Sequence, residues 1–229
     1  MRVRWFFFCL LLVWMGKGND VVTAQSGESM TIIALGDSTT AGTPGFFSPR
    51  EVLPEGQGNP ESQYAYWVMK RHPEWTLLNR GVRGQRTDQI ARRFDYDVLQ
   101  VKPDGMILLA GINDLYQGAS IETIQNNLKA MYERAAEAGI RVMACTILPF
   151  DRATPEVRQR LSAVNAWIRE YAGTHGVGFA DTYEAVNDSF RPGFLIGTPD
   201  GLHPDVETYR RMGDSIADAL EAWLDQEKK

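Results

Sequence analysis

Gly105-Met106-Ile107-Leu108-Leu109-Ala110 carries no charged or polar side chain and no alternation of apolar with polar residues. Successive side chains of a strand point to opposite faces, so a strand with one wet face would alternate. An unbroken apolar run of this length reads as a strand covered on both faces, as in a parallel sheet packed between two layers of helix. The chain on either side agrees. Upstream, residues 31–35 and 76–78 read as strands and residues 62–71 as a helix. Residues 87–101 read as a second helix, with Ile90, Phe94 and Val98 on one face. The Gly/Pro-rich residues 43–60 read as a loop.

Downstream, Ser120 is placed to cap a helix that buries Ile121, Ile124, Leu128, Met131 and Ala135 and closes at Gly139. Residues 141–148 form the fourth predicted strand. Thr154-Pro155 opens a helix bearing Val157, Leu161, Val164, Ile168 and Tyr171, and residues 177–180 are a fifth strand. The last helix spans about 205–225, with Tyr209, Met212, Ile216, Leu220 and Trp223 facing inward. Strands alternating with helices predict an α/β fold with a five-stranded parallel sheet, helices on both faces, and no interdomain linker or internal repeat. The strand order is not readable from this pattern.

In such a sheet, ligands bind outside the carboxyl ends of the strands, so the residues that follow each strand deserve a search for chemistry. They are Gly36-Asp37-Ser38-Thr39-Thr40-Ala41-Gly42, Asn79-Arg80-Gly81, Gly111-Ile112-Asn113-Asp114 and, before the last helix, Asp200-Gly201-Leu202-His203-Pro204. Each alone is ordinary turn composition. Together at one sheet edge they suit acyl transfer. A serine hydroxyl needs a base to take its proton, and imidazole has a suitable ordinary pKa. Ser38 would be the nucleophile and His203 the base, with Asp200 orienting the ring and stabilising the imidazolium. The Ser38 and Gly81 N–H groups and the Asn113 amide are the candidate donors to an oxyanion. Glycine at 81 and 111 lets backbone come close to the reacting centre.

These four segments resemble the blocks of the SGNH hydrolases, also called GDSL esterases and lipases. The family's Ser, Gly, Asn and His match Ser38, Gly81, Asn113 and His203, with the triad aspartate at Asp200; Thr39 stands where the GDSL name would put leucine. The resemblance runs from about Met30 to the last helix. It implies a flavodoxin-like three-layer α/β/α fold and hydrolysis of carboxylic esters without metal or cofactor. No GxSxG elbow occurs, so the α/β-hydrolase fold is not the right comparison.

Composition narrows the partners. The 229 residues carry a net charge of −5, three histidines and two cysteines. Residues 1–24 read as a secretory signal peptide: Arg2 and Arg4 precede an apolar run from Trp5 to Met15, and cleavage is expected after Ala24. An uncleaved N-terminal anchor is the alternative; Cys9 lacks a lipobox-like context. Residues 25–229 form the expected single domain. Losing Arg2, Arg4, Lys17 and Asp20 would leave the chain more acidic, which disfavours nucleic acid or an anionic membrane as partner. It would also leave Cys145 as the lone thiol, in an apolar run that reads as a buried strand. His72, before Pro73, and His175, at a helix end, read as structural, and the scattered histidines offer no metal-ligand spacing. Asp37 and Asp114 read as loop holders that accept from backbone N–H groups.

Substrate is less legible. Phe46 and Phe47 in the 43–60 segment could line an acyl or aryl site or stack on a sugar, or pack the loop down. Arg83 and Arg86 could hold a polar substrate or pair with nearby acids. The residues before Asp200, from 190 to 199, would form the opposite rim. Relatives implied by the resemblance include lysophospholipases, arylesterases, thioesterases and carbohydrate O-acetylesterases. Glycine-rich surroundings without a long apolar lid favour short acyl groups, acetyl groups on carbohydrate among them. A carbohydrate-binding protein that has lost catalysis is the alternative from another class, and the intact Ser38, Asn113, Asp200 and His203 argue against it.

Overall fold

A computed structural model describes residues 29–227; the segment read as a signal peptide lies outside them. In chain order the strands are β1 (Met30–Gly36), β2 (Phe46–Phe47), β3 (Gln57–Gly58), β4 (Trp75–Gly81), β5 (Gly105–Leu109), β6 (Arg141–Cys145) and β7 (Gly178–Ala180). The helices are α1 (Ser38–Ala41), α2 (Tyr64–Arg71), α3 (Thr87–Arg92), α4 (Ile112–Tyr116), α5 (Ile121–Glu137), α6 (Pro155–His175), α7 (Thr182–Val186) and α8 (Val206–Glu227).

Five strands make one parallel sheet in the order β4-β1-β5-β6-β7. The chain steps from β1 to one side and then returns past it to build the other, so a topological switch point falls beside β1, as in flavodoxin-like sheets. Gly36 is in register with both Gly81 and Leu109, so the three strands around that point end level. Alternation along β5 explains its uniform composition. Met106 and Leu108 join a core with Ile90, Phe94, Ile124, Leu128, Val164 and Ile168, while Ile107 and Leu109 join the opposite core with Tyr64, Val68, Tyr209, Met212 and Ile216. Cys145 lies buried in the second core, and burial pushes its thiol pKa up.

The structure departs from the sequence reading in several places. The helix expected over 87–101 is interrupted: α3 ends at Arg92, and a separate π-helical turn covers Asp95–Leu99. The break falls at Arg93, whose guanidinium turns inward to the main-chain carbonyls of Gly36 and Arg80. The strand expected over 141–148 stops at Cys145, because the Asn165 side chain satisfies both the N–H and the C=O of Ile147, each at 2.8 Å. The 43–60 segment is not wholly loop, since β2 and β3 pair within it as a short antiparallel ladder. The short helices α1, α4 and α7 follow strands directly and are too brief to show a helical period.

Candidate active site

Ser38 is the first residue of α1, immediately after β1. Asp37 caps that helix, its Oδ1 accepting from the Thr39 N–H at 3.0 Å. The turn is tight and buried, and the Ser38 side of it meets His203 from the loop that precedes α8. Ser38 Oγ lies 3.0 Å from His203 Nε2, and His203 Nδ1 lies 2.7 Å from Asp200 Oδ2. Ser38 is 6 % and His203 9 % exposed, so the pair is reachable but mostly shielded from water.

The Asp200 loop is built to aim that ring. Asp200 Oδ1 accepts from the Leu202 and His203 N–H groups at 2.9 and 2.8 Å, while Thr198 Oγ1 accepts from Gly201 N–H at 2.9 Å. The Gly201 carbonyl in turn accepts from Asp151 N–H at 2.8 Å. Partial burial opposes ionisation of Asp200. The hydrogen bonds from the His203 ring and from the two amides outweigh it and hold the carboxyl at about 2. An ionised carboxylate only accepts, so the His203 Nδ1 carries the proton and Nε2 of the neutral ring is left to accept from Ser38. That arrangement can draw a proton from the hydroxyl and return it to a leaving group.

The candidate oxyanion donors divide. Among the described residues the Ser38 N–H has no hydrogen-bond partner, and Asn113, in α4, donates one amide hydrogen to Gln85 O at 3.0 Å and has a second to give. Gly81 is the correction. Its N–H already donates to Asn79 Oδ1 at 2.9 Å, so it is not available to an oxyanion. The glycine is required for packing instead: a Cβ there would stand 2.1 Å from Ala41 N, in the backbone of α1. Three residues on, Gly84 has φ +72°, open space where a Cβ would stand and, among the described residues, an N–H without a partner, in the same turn that Asn113 grips through Gln85. Nothing in the composition of Asn79-Arg80-Gly81-Val82-Arg83-Gly84 distinguishes the two glycines. The allocation of hydrogen bonds does.

Asp37 and Asp114 both hold backbone. Asp114 accepts from the Thr87 N–H at 2.9 Å and from its hydroxyl at 2.6 Å. Burial raises both carboxyl pKa values. Asp37 is pushed up to about 7 by desolvation, with the nearby Asp114 charge adding to it and the Thr39 amide and Arg93 opposing it.

The four candidate substrate residues separate as well. Phe46 is buried at 7 % exposed, so it packs the loop rather than lining a pocket, whereas Phe47 is 41 % exposed. The Arg83 guanidinium lies 3.7 Å over the Phe47 ring and donates to Phe46 O at 2.9 Å, with Glu51 close to its Nε at 3.7 Å. Arg86 pairs with Asp88 at 3.0 Å and donates to Gln117 Oε1. Both arginines are therefore partnered by acids of the protein itself. His72 stacks on Trp75 between Glu74 and Glu221, and His175 stacks on Tyr171 while its Nδ1 donates to the Tyr171 carbonyl. Among the described residues, no cluster of three His, Cys, Asp or Glu side chains could hold a metal ion. A cleft of about 350 Å³ between α6 and the 181–192 segment contains none of these candidate residues. Its polar walls are paired internally, Arg169 with Asp181 and Asn165 with Ile147.

Residues 34–211 match the model of the GDSL-like lipase/acylhydrolase family. The chain belongs to that family. A curated relative, an uncharacterised lipoprotein of Bacillus subtilis, is 29% identical over 126 residues; the match takes in 52% of this chain and 48% of the relative. The chain thus spans about half the length of that relative. Among solved structures, a GDSL-like lipase from Bacteroides thetaiotaomicron superposes with a TM-score of 0.67 at 23% identity, covering 84% of this chain and 88% of its own. An acetylxylan esterase from Geobacillus stearothermophilus gives 0.69 at 18% identity, covering 85% and 95%. At these identities the two structures speak to the fold, which is that of the GDSL family.

Proposed function

We propose that the protein is a serine esterase that hydrolyses short-chain acyl esters. The observation that carries it is the run of contacts from Ser38 Oγ to His203 Nε2 at 3.0 Å and from His203 Nδ1 to Asp200 Oδ2 at 2.7 Å, in a chain of the GDSL family. Ser38 Oγ attacks the ester carbonyl as its proton passes to His203 Nε2, and Asp200 stabilises the imidazolium. The developing oxyanion takes hydrogen bonds from the N–H groups of Ser38 and Gly84 and from the free Asn113 amide hydrogen. Collapse breaks the ester C–O bond, and His203 protonates the departing alcohol. Water, deprotonated by the same imidazole, then releases the acid and restores the Ser38 hydroxyl.

The support for a short acyl group is steric. An apolar void flanked by Asp37 and Thr39 and walled by Leu109, Ile112, Ile147 and Leu148 measures about 10 Å³, the space of one water-sized group. We assign the acetyl methyl to this space, which borders Ser38 through its two chain neighbours. Acetylated carbohydrate is the alcohol side we favour: half-exposed Phe47, backed by Arg83, offers a face on which a sugar can stack, and a fold neighbour is an acetylxylan esterase. Export through the N-terminal segment belongs to the same reading, and the lipoprotein relative fits it.

The test is a series of p-nitrophenyl esters of increasing chain length, run beside acetylated xylo-oligosaccharides and a lysophospholipid. Highest kcat/KM on acetyl esters is expected. Preference for long chains would overturn the acyl assignment, and no turnover together with no labelling by a serine-directed phosphonate would restore the binding-protein alternative.

A further inference from the structure

We propose that Arg93 and Gln85 are a positioning pair that sets the geometry of the oxyanion donors. The proposal rests on the reading of Ser38 as the nucleophile. The Arg93 side chain is 11% exposed and reaches three separate parts of the site. Its Nε donates to Gln85 Oε1 at 2.7 Å, its Nη1 to Arg80 O at 2.7 Å and its Nη2 to Gly36 O at 2.8 Å. Gly36 ends β1 two residues before Ser38. Arg80 lies at the end of β4, and Gln85 belongs to the turn that contains Gly84. One rigid, planar guanidinium therefore joins the nucleophile strand, its neighbour and the loop between β4 and α3.

Gln85 is gripped from the other side as well, since its carbonyl accepts from Asn113 Nδ2 at 3.0 Å. The chain Gly36–Arg93–Gln85–Asn113 thus runs beneath all three proposed donors: Ser38 follows Gly36, Gly84 precedes Gln85, and Asn113 is the last link. Oxyanion donors act over a narrow range, about 2.7–3.1 Å, so a turn free to drift would forfeit most of their effect. Neutralising the buried Asp97 does not by itself account for this contact set. Arg93 does pair with Asp97, but Arg50 also approaches that carboxylate at 3.2 Å, and the carbonyl and Gln85 contacts are made by the remaining donors of Arg93. The three donors of a lysine sit on a single nitrogen and could not span acceptors spread over Nε, Nη1 and Nη2 of a guanidinium.

The experiment compares Gln85→Leu, Gln85→Glu and Arg93→Lys with the unmodified enzyme and with Ser38→Ala. It measures kcat and KM on p-nitrophenyl acetate per site titrated by a serine-directed phosphonate, the inhibition constant of a boronic acid that forms a tetrahedral adduct, and Tm. Gln85→Leu is expected to lower kcat roughly 10- to 100-fold and to weaken the boronic acid by a similar factor, with KM changed less than about twofold. Gln85→Glu keeps an acceptor for Arg93 and should retain most of kcat. Arg93→Lys keeps the charge beside Asp97 and should resemble Gln85→Leu. Unchanged kcat and boronic acid affinity in Gln85→Leu would overturn the proposal, as would a loss confined to Tm or to the number of titratable sites. Equal losses in Gln85→Leu and Gln85→Glu would also overturn it. Full activity in Ser38→Ala would instead remove the nucleophile assignment beneath it.

Discussion

The turn that carries Ser38 and the segments read as the rim are built on opposite principles. Residues 36–42 are buried and crossed by hydrogen bonds from distant parts of the chain. Asn79 donates to the carbonyls of Thr40 and Ala41, Arg93 to that of Gly36, and His203 meets the Ser38 hydroxyl. The segments read as its rim present Phe47 at 41 %, Leu53 at 80 % and Phe190 at 94 % exposure. The difference separates two jobs. Chemistry needs groups held to a few tenths of an ångström, which buried polar contacts supply. Choice of substrate needs surface, and a surface side chain can change without disturbing the fold.

The sharpest way to break this comparison is at its centre. Ser38→Ala is expected to abolish turnover of p-nitrophenyl acetate, a fall on the order of 10⁴-fold or more, with Tm little changed. A variant that kept its activity would show that the rigid turn is not where the chemistry occurs. Asn113→Ala should lower kcat by about 10²–10³-fold, the usual loss for one oxyanion donor, and steady-state kinetics will read it.

Asp37 tests how far the rigidity of the turn depends on its buried carboxyl. Its folded pKa of about 7 lies above the ordinary 3.8, so the folded state holds the proton more tightly. The stability this contributes is fully present below about pH 4 and is lost as pH rises through 7. The shift corresponds to an effect on the order of 4 kcal/mol across that window. Asp37→Asn keeps an acceptor for the Thr39 N–H and should flatten this slope, as urea unfolding at pH 5 and pH 8 will measure. An unaltered slope would mean that Asp37 ionises freely.

The rim should respond least. Phe47→Ala is expected to raise KM for acetylated xylo-oligosaccharide by roughly three- to tenfold, in line with loss of one stacking contact of about 1 kcal/mol. Its kcat on p-nitrophenyl acetate should stay within experimental error. A drop in kcat as large as that of Asn113→Ala would place Phe47 with the machinery and dissolve the distinction.

Much of the molecule was legible from its amino acids. The uniform apolar run at 105–110 implied a sheet buried on both faces, because both sides of β5 feed hydrophobic cores. Ser38, Asn113, Asp200 and His203 stood out as residues able to do acyl-transfer chemistry at the ends of strands. What escaped reading were contacts whose partners lie far apart in sequence. Arg93 and Asp97 look like an ordinary surface pair on a helix, yet Arg93 reaches a carbonyl 57 residues away. Asn165 ends a strand to which it does not belong.

The two glycines draw the boundary between the levels. Composition and order pointed to Gly81 as a place where backbone comes close to Ser38, and left Gly84, three residues on, unremarked. Which N–H is left to receive a negative charge depended on the folded turn. Asn79 folds back onto Gly81, while the N–H of Gly84, at positive φ, meets no acceptor among the described residues. A residue's type is local information. The partner of its N–H is set by dihedral angles and by side chains brought in from elsewhere, and these exist only once the sheet has closed around them.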